Sequence, residues 1–169
     1  YFFYIVFVGL YIWGAYRQQP GLKLLVQAYV LAQLLGSVAI VRTLKMLWGR
    51  ARPDVTPHAD YASSWIGFSW QPGYHSFPSG HTADIVTSAV FAALVVRNAW
   101  LAGMCIAWAG ALALSRLALA KHYPSDALAG AVIALAASLL VWHYWLRARL
   151  VRAPLGSSVL WWGGSRPRH

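Results

Sequence analysis

Long apolar stretches broken by short polar ones dominate the pattern of this chain. Five apolar blocks can be read, over residues 1–16, 24–41, 82–96, 99–114 and 127–146. They are too long for core strands, and each predicts a helix embedded in lipid. Several are shorter than the roughly 20 residues of a perpendicular membrane span. Their ends are therefore expected to run on into the flanking polar turns. Small residues, as in Ala107-Trp108-Ala109-Gly110-Ala111, suit close helix packing in a bilayer. The expected fold is an all-α integral membrane bundle of five visible transmembrane helices, one domain over residues 1–169.

The connections differ in length. Residues 17–23 and the pair Arg97-Asn98 are short, whereas residues 42–81 form a long loop carrying Pro53, Pro57, Pro72 and Pro78. Its Trp65, Phe68, Trp70, Tyr74 and Phe77 read either as interfacial anchors or as contacts for a bound apolar chain. The apolar run at Tyr1 has no charged leader or cleavage site, so it is not a signal peptide.

Composition agrees with lipid burial. Hydrophobic residues make up 59% and charged ones only 11%, too few for the surface of a soluble domain. The net charge of +10 raises nucleic-acid binding, but the basic residues lie between apolar blocks rather than along one exposed face. Membrane topology and an anion site account for them, and no nucleic-acid partner is expected. Cys105 is the single cysteine, which excludes an intrachain disulfide.

With five spans, Arg17, Lys23, Arg97, Arg147, Arg149, Arg152, Arg166 and Arg168 share one side. Arg42, Lys45, Arg50, Arg52, Arg116 and Lys121 share the other. If a site holds Lys45, Arg52 and Arg116, the free count is eight against three. Positive-inside logic then puts the C-terminal tail in the cytoplasm and the long loop outside.

Three polar clusters fall on that outer side: Lys45 to Pro53, Pro78-Ser79-Gly80-His81, and Ser115-Arg116 with His122 and Asp126. Lys45, Arg52 and Arg116 supply three cations, and a guanidinium matches phosphate oxygens in bidentate fashion. Ser79-Gly80 stands where a helix N-terminus would aim N–H groups at an anion, with no Gly80 side chain in the way. Asp126, four residues after His122, can hold one imidazole nitrogen protonated and leave the other as nucleophile or base. His81 is free to donate a proton to a leaving oxygen. Asp84 could reach His81 or serve helix-start electrostatics.

Each feature taken singly has a plainer explanation. Arginines at helix ends snorkel, Ser-Gly before a helix is an N-cap, and membrane-edge histidines such as His58, His75, His143 and His169 pack. The joint spacing outweighs them. Lys45-x6-Arg52-Pro53, Pro78-Ser79-Gly80-His81 and Ser115-Arg116-x5-His122-x3-Asp126 resemble the three-part signature of the type-2 phosphatidic acid phosphatase (PAP2) superfamily.

The resemblance implies a metal-independent lipid phosphatase, with His122 attacking phosphorus and Asp126 orienting it. His81 would protonate the leaving group, while Lys45, Arg52, Ser79, Gly80 and Arg116 hold phosphoryl oxygens. It also implies a six-helix protein, with one N-terminal helix preceding Tyr1. Implied substrates are undecaprenyl pyrophosphate, phosphatidylglycerol phosphate, phosphatidate and lipid A 1-phosphate, handled at the periplasmic face of a bacterial inner membrane. No cofactor is expected, because four carboxylates, two of them (Asp54 and Asp60) in the loop, are too few for a two-metal cluster. Two alternatives stand beside this reading: a vanadate-binding haloperoxidase, whose family branch is soluble, and a non-catalytic protein that binds or transports lipid phosphates.

Overall fold

The computed structural model describes residues 2–55, 64–96 and 98–152. Tyr1, His58, Asp60, Arg97, Arg166, Arg168 and His169, on which expectations were placed, lie outside the described residues. Five helices account for the apolar blocks: α1 (Phe2–Tyr16), α2 (Pro20–Trp48), α3 (Gly80–Val95), α4 (Ala99–Ala118) and α5 (Pro124–Arg152). No β-strand occurs among the described residues, where the sole strand-like pairing is a bridge between Arg50 and Trp65.

By length and composition, α2, α4 and α5 can cross a membrane, while α1 and α3 are shorter apolar helices of 15 and 16 residues. Every helix but α1 and α3 outruns its apolar block appreciably. Hydropathy marks where a helix meets lipid, but capping decides where it stops. Pro20 and Pro124 open α2 and α5, where a missing N–H costs nothing. The Ser79 hydroxyl accepts from the Thr82 amide at 3.3 Å to start α3, and Asn98 Oδ1 accepts from the Trp100 amide at 2.8 Å to start α4. Gly49 ends α2 in the left-handed region (φ 49°), its amide donating to the Lys45 carbonyl at 3.1 Å. A side chain there would also collide with the Gly67 carbonyl oxygen.

At ~1.5 Å per residue, the 29-residue α2 and α5 exceed a hydrocarbon core ~30 Å thick. Their ends therefore project into the interface. Each carries one stretch of π-helix, Leu34–Ile40 in α2 and Val141–Leu146 in α5.

Phe7, Leu22, Leu25, Tyr29, Phe91 and Leu146 pack as the main core, with the Phe7 ring stacked on Tyr29 at 3.9 Å between centroids. Val41, Ala83 and Ala134 form a smaller cluster joining α2, α3 and α5 near the other end. Most of α4 faces outward, with Trp100, Met104, Trp108 and Leu114 exposed, as lipid contact allows.

One close approach sets the site. A Cβ on Gly130 of α5 would lie 2.3 Å from the Ser79 carbonyl oxygen, so only glycine lets α5 touch the start of α3. The helices alternate in direction, so α2 and α4 end where α3 and α5 begin. All three polar clusters thereby gather at one end of the bundle.

Candidate active site

Lys45 stands in the last turn of α2, with Arg52 in the loop beyond it. Gly80 and His81 open α3, Arg116 lies in the last turn of α4, and His122 and Asp126 flank the start of α5. A cavity of about 670 Å³ is lined by Lys45, Arg52, Gly80, His81 and His122 together. A neighbouring cavity of about 290 Å³ is lined by His81, Asp84 and Arg116. The two imidazoles thus share one chamber, and His81 and Asp84 face both.

His122 is buried, and its Nδ1 lies 2.9 Å from the Ser76 carbonyl oxygen. A carbonyl only accepts, so Nδ1 carries the proton and Nε2 of the neutral ring keeps its lone pair. The Asp126 carboxylate stands one step behind, Oδ2 being 3.6 Å from the same Nδ1. The direct hold on the ring is therefore a backbone carbonyl.

Asp126 is fully buried and secured from several directions. Arg50 Nη1 donates to Oδ1 at 2.5 Å, while the Ser76 hydroxyl (2.5 Å) and the Tyr123 amide (2.9 Å) donate to Oδ2. Its backbone carbonyl accepts from the Ser79 amide at 2.9 Å, tying the second signature part to the third. A buried carboxylate needs this many donors, and the carboxylate in turn fixes Ser76 and with it the carbonyl under His122.

Arg50 corrects the topology reading, which counted it as a free cation at the outer face. It is 1% exposed, paired with Asp126 and Ser125, with the rings of Trp65 and Tyr123 at 4.9 and 3.9 Å from its guanidinium carbon. Nothing in its spacing separates it from a snorkelling arginine. The one hint was a carboxylate, Asp126, that needs a cation wherever it is buried. Lys121, also counted free, donates to Asp54 and holds that exposed carboxyl below the usual range.

Lys45 Nζ donates to the His75 carbonyl at 2.6 Å, so the loop presents the ammonium to the cavity. His75, expected only to pack, lines the cavity and donates through Nε2 to the Ser69 carbonyl at 2.8 Å. His143 is exposed, with its ring edge-on to Tyr144. The Ser79 hydroxyl is fully buried in the cap of α3, and its backbone amide is taken by the Asp126 carbonyl. A Cβ on Gly80 would meet Lys45 Cε at 3.7 Å, which puts this helix start in contact with the lysine stem. Arg116 Nε is buried with no hydrogen-bond partner among the described residues.

The loop aromatics divide. Trp65 and Phe77 pack together and against Trp48, around the buried Arg50, whereas Phe68 and Trp70 protrude at 58% and 71% exposure. The second pair suits a membrane interface. Among the described residues, no three His, Cys, Asp or Glu side chains cluster in a way that could hold a metal ion.

The sequence profile of the PAP2 superfamily matches residues 22–150, most of the chain and all three signature parts. The chain belongs to the PAP2 superfamily. Among curated PAP2-related proteins, it is 37% identical over 109 residues to the lipid A 1-phosphatases of Rhizobium etli and Rhizobium johnstonii. These matches cover 61% of this chain and 43% and 41% of theirs. It is also 37% identical over 92 residues to the lipid A 4'-phosphatase of Bacteroides thetaiotaomicron, covering 53% of this chain and 40% of that one. The match thus spans less than half the length of these relatives. No solved structure matches it significantly.

Proposed function

We propose that this PAP2 protein is a lipid phosphate phosphatase acting through a phosphohistidine on His122, without a metal. The observation that carries this reading is the 2.9 Å contact between His122 Nδ1 and the Ser76 carbonyl oxygen. The Ser76 carbonyl accepts a hydrogen bond from Nδ1–H and leaves Nε2 as a nucleophile on a ring that lines the cavity of Lys45, Arg52 and His81.

The reaction follows from the groups present. Nε2 attacks phosphorus while the cations and the α3 start take up charge on the phosphoryl oxygens. Positive charge on the phosphorylated imidazole is balanced by Asp126, 3.6 Å away. His81 protonates the departing lipid oxygen, then takes a proton from the water that cleaves the N–P bond. Arg116, with its buried unsatisfied Nε beside His81, is suited to the oxygen nearest the leaving group.

The lipid character of the substrate is supported by three helices able to cross a membrane and by the lipid A phosphatase relatives. The same helices disfavour the soluble haloperoxidase branch. Candidates are envelope lipids: lipid A 1-phosphate, undecaprenyl pyrophosphate, phosphatidylglycerol phosphate and phosphatidate. The site is proposed to face the periplasm of a bacterial inner membrane.

The test is phosphate release by the detergent-purified protein across these lipids. His122→Ala is expected to cut turnover on the order of 10³-fold or more. An acid-labile phosphoenzyme should be caught by rapid quenching of wild type during turnover and be absent from His122→Ala. Wild-type turnover in His122→Ala would overturn the nucleophile assignment.

A further inference from the structure

Arg42 is a charge that the PAP2 signature does not use. It lies one turn before Lys45 on α2, exposed, and lines the same cavity as Lys45, Arg52, His81 and His122. Three residues at ~1.5 Å each put it about 4.5 Å deeper along the helix than Lys45. Among the described residues, no carboxylate lies within ion-pair distance of it. A charge near membrane depth is costly, and an arginine that only snorkels has no need of a cavity wall.

The surroundings put Arg42 in order between two other features. On its outer side is the cradle of Lys45 and Arg52. On its inner side the cavity continues past Val41, Val38 and Ser37 to Tyr4 of α1. Tyr4 also lines a largely apolar groove of about 740 Å³, with Phe7, Tyr11, Val26, Val30 and Trp145. That groove follows α1 and α2 away from the site. From the outer end inward, the wall therefore reads cation pair, single arginine, apolar groove. Asp84, on α3, is the cavity's lone carboxylate among the described residues and leaves cations in excess.

We propose that Arg42 determines specificity by binding the second phosphate of a lipid diphosphate. The inference rests on the phosphatase reading above and names its preferred substrate class. The terminal phosphate would sit in the cradle, the next one P–O–P bridge inward on Arg42, and the lipid chain in the groove. His122 Nε2 forms a bond to the terminal phosphorus as the bridging P–O bond breaks. The electron pair stays on the bridging oxygen, and the lipid monophosphate leaves with its charge met by Arg42. Water then cleaves the N–P bond and releases inorganic phosphate. A lipid monophosphate leaves as an alcohol and makes no use of that contact.

The experiment compares farnesyl diphosphate with farnesyl monophosphate, which share one tail, on purified wild type, Arg42→Gln and Arg42→Lys. Wild type is expected to favour the diphosphate in kcat/KM. Arg42→Gln should lower the diphosphate-to-monophosphate ratio about tenfold or more, the scale of a lost charge-assisted pair, and Arg42→Lys should recover part of it. An equal loss on both lipids, or none on either, overturns the role of Arg42 while leaving the phosphatase intact. If wild type releases phosphate from one of the envelope monophosphates above but not from farnesyl diphosphate, the diphosphate role of Arg42 is overturned; release from none of these lipids overturns the phosphatase reading itself.

Discussion

At the scale of single residues, the site is organised behind the cavity as much as in it. Arg50, Ser76 and Asp126 touch no open space, yet together they fix the carbonyl that sets the His122 tautomer. Removing one partner of a buried ion pair strands the other charge, which costs about 3–5 kcal/mol. Arg50→Met keeps the bulk of the side chain and deletes its charge. It is expected to lower the thermal unfolding midpoint in detergent by several degrees, and to reduce turnover because Asp126 then loses its anchor. An unfolding midpoint equal to wild type would mean that the pair contributes little. Asp126 would then need only its donors from Ser76 and Tyr123.

At the scale of helices, two contacts decide whether the signature parts meet. Ser79 donates its amide to the Asp126 carbonyl, and Gly130 brings α5 against the Ser79 carbonyl. Gly130→Ala would force a methyl group to 2.3 Å from that oxygen, so the start of α3 must move away from α5. Overpacking of this kind costs about 1–3 kcal/mol, and here it also shifts His81 relative to His122. The expected result is a lower unfolding midpoint together with a fall in kcat. Gly103→Ala on α4, where a Cβ meets nothing within 4 Å, serves as the matched control and should change neither.

The same contacts show what was legible in the chain. Helix number and type followed from apolar run length, and the gathering of Lys45, Arg52, His81, Arg116 and His122 at one end followed from alternating helix direction. Arg50 and Ser76 were not legible, because their role lies in burial against a carboxylate 76 and 50 residues away. Helix ends were misplaced for a related reason. A cap such as Gly49 acts through backbone geometry, which hydropathy does not register.

At the scale of the whole molecule, charge asymmetry is sharper than a tally of basic residues suggests. Of the three outer cations first taken as free, Arg50 is buried against Asp126, Lys121 is paired with Asp54, and Arg42 faces the cavity. The described carboxylates, Asp54, Asp84 and Asp126, all lie at the site end. The opposite end carries Arg17, Lys23, Arg147, Arg149 and Arg152 with no described carboxylate, and Arg17 and Arg149 lie over Trp13 and Trp145. An excess of Lys and Arg is what positive-inside logic expects of a cytoplasmic face. A green fluorescent protein fused after His169 is therefore expected to fluoresce in bacterial cells. A periplasm-restricted thiol reagent should label Phe68→Cys in a Cys105→Ala background, since Phe68 protrudes from the loop over the site. Labelling only after cell lysis would place the loop in the cytoplasm. The positive-inside argument would then fail, and the enzyme would draw its lipid from the inner leaflet.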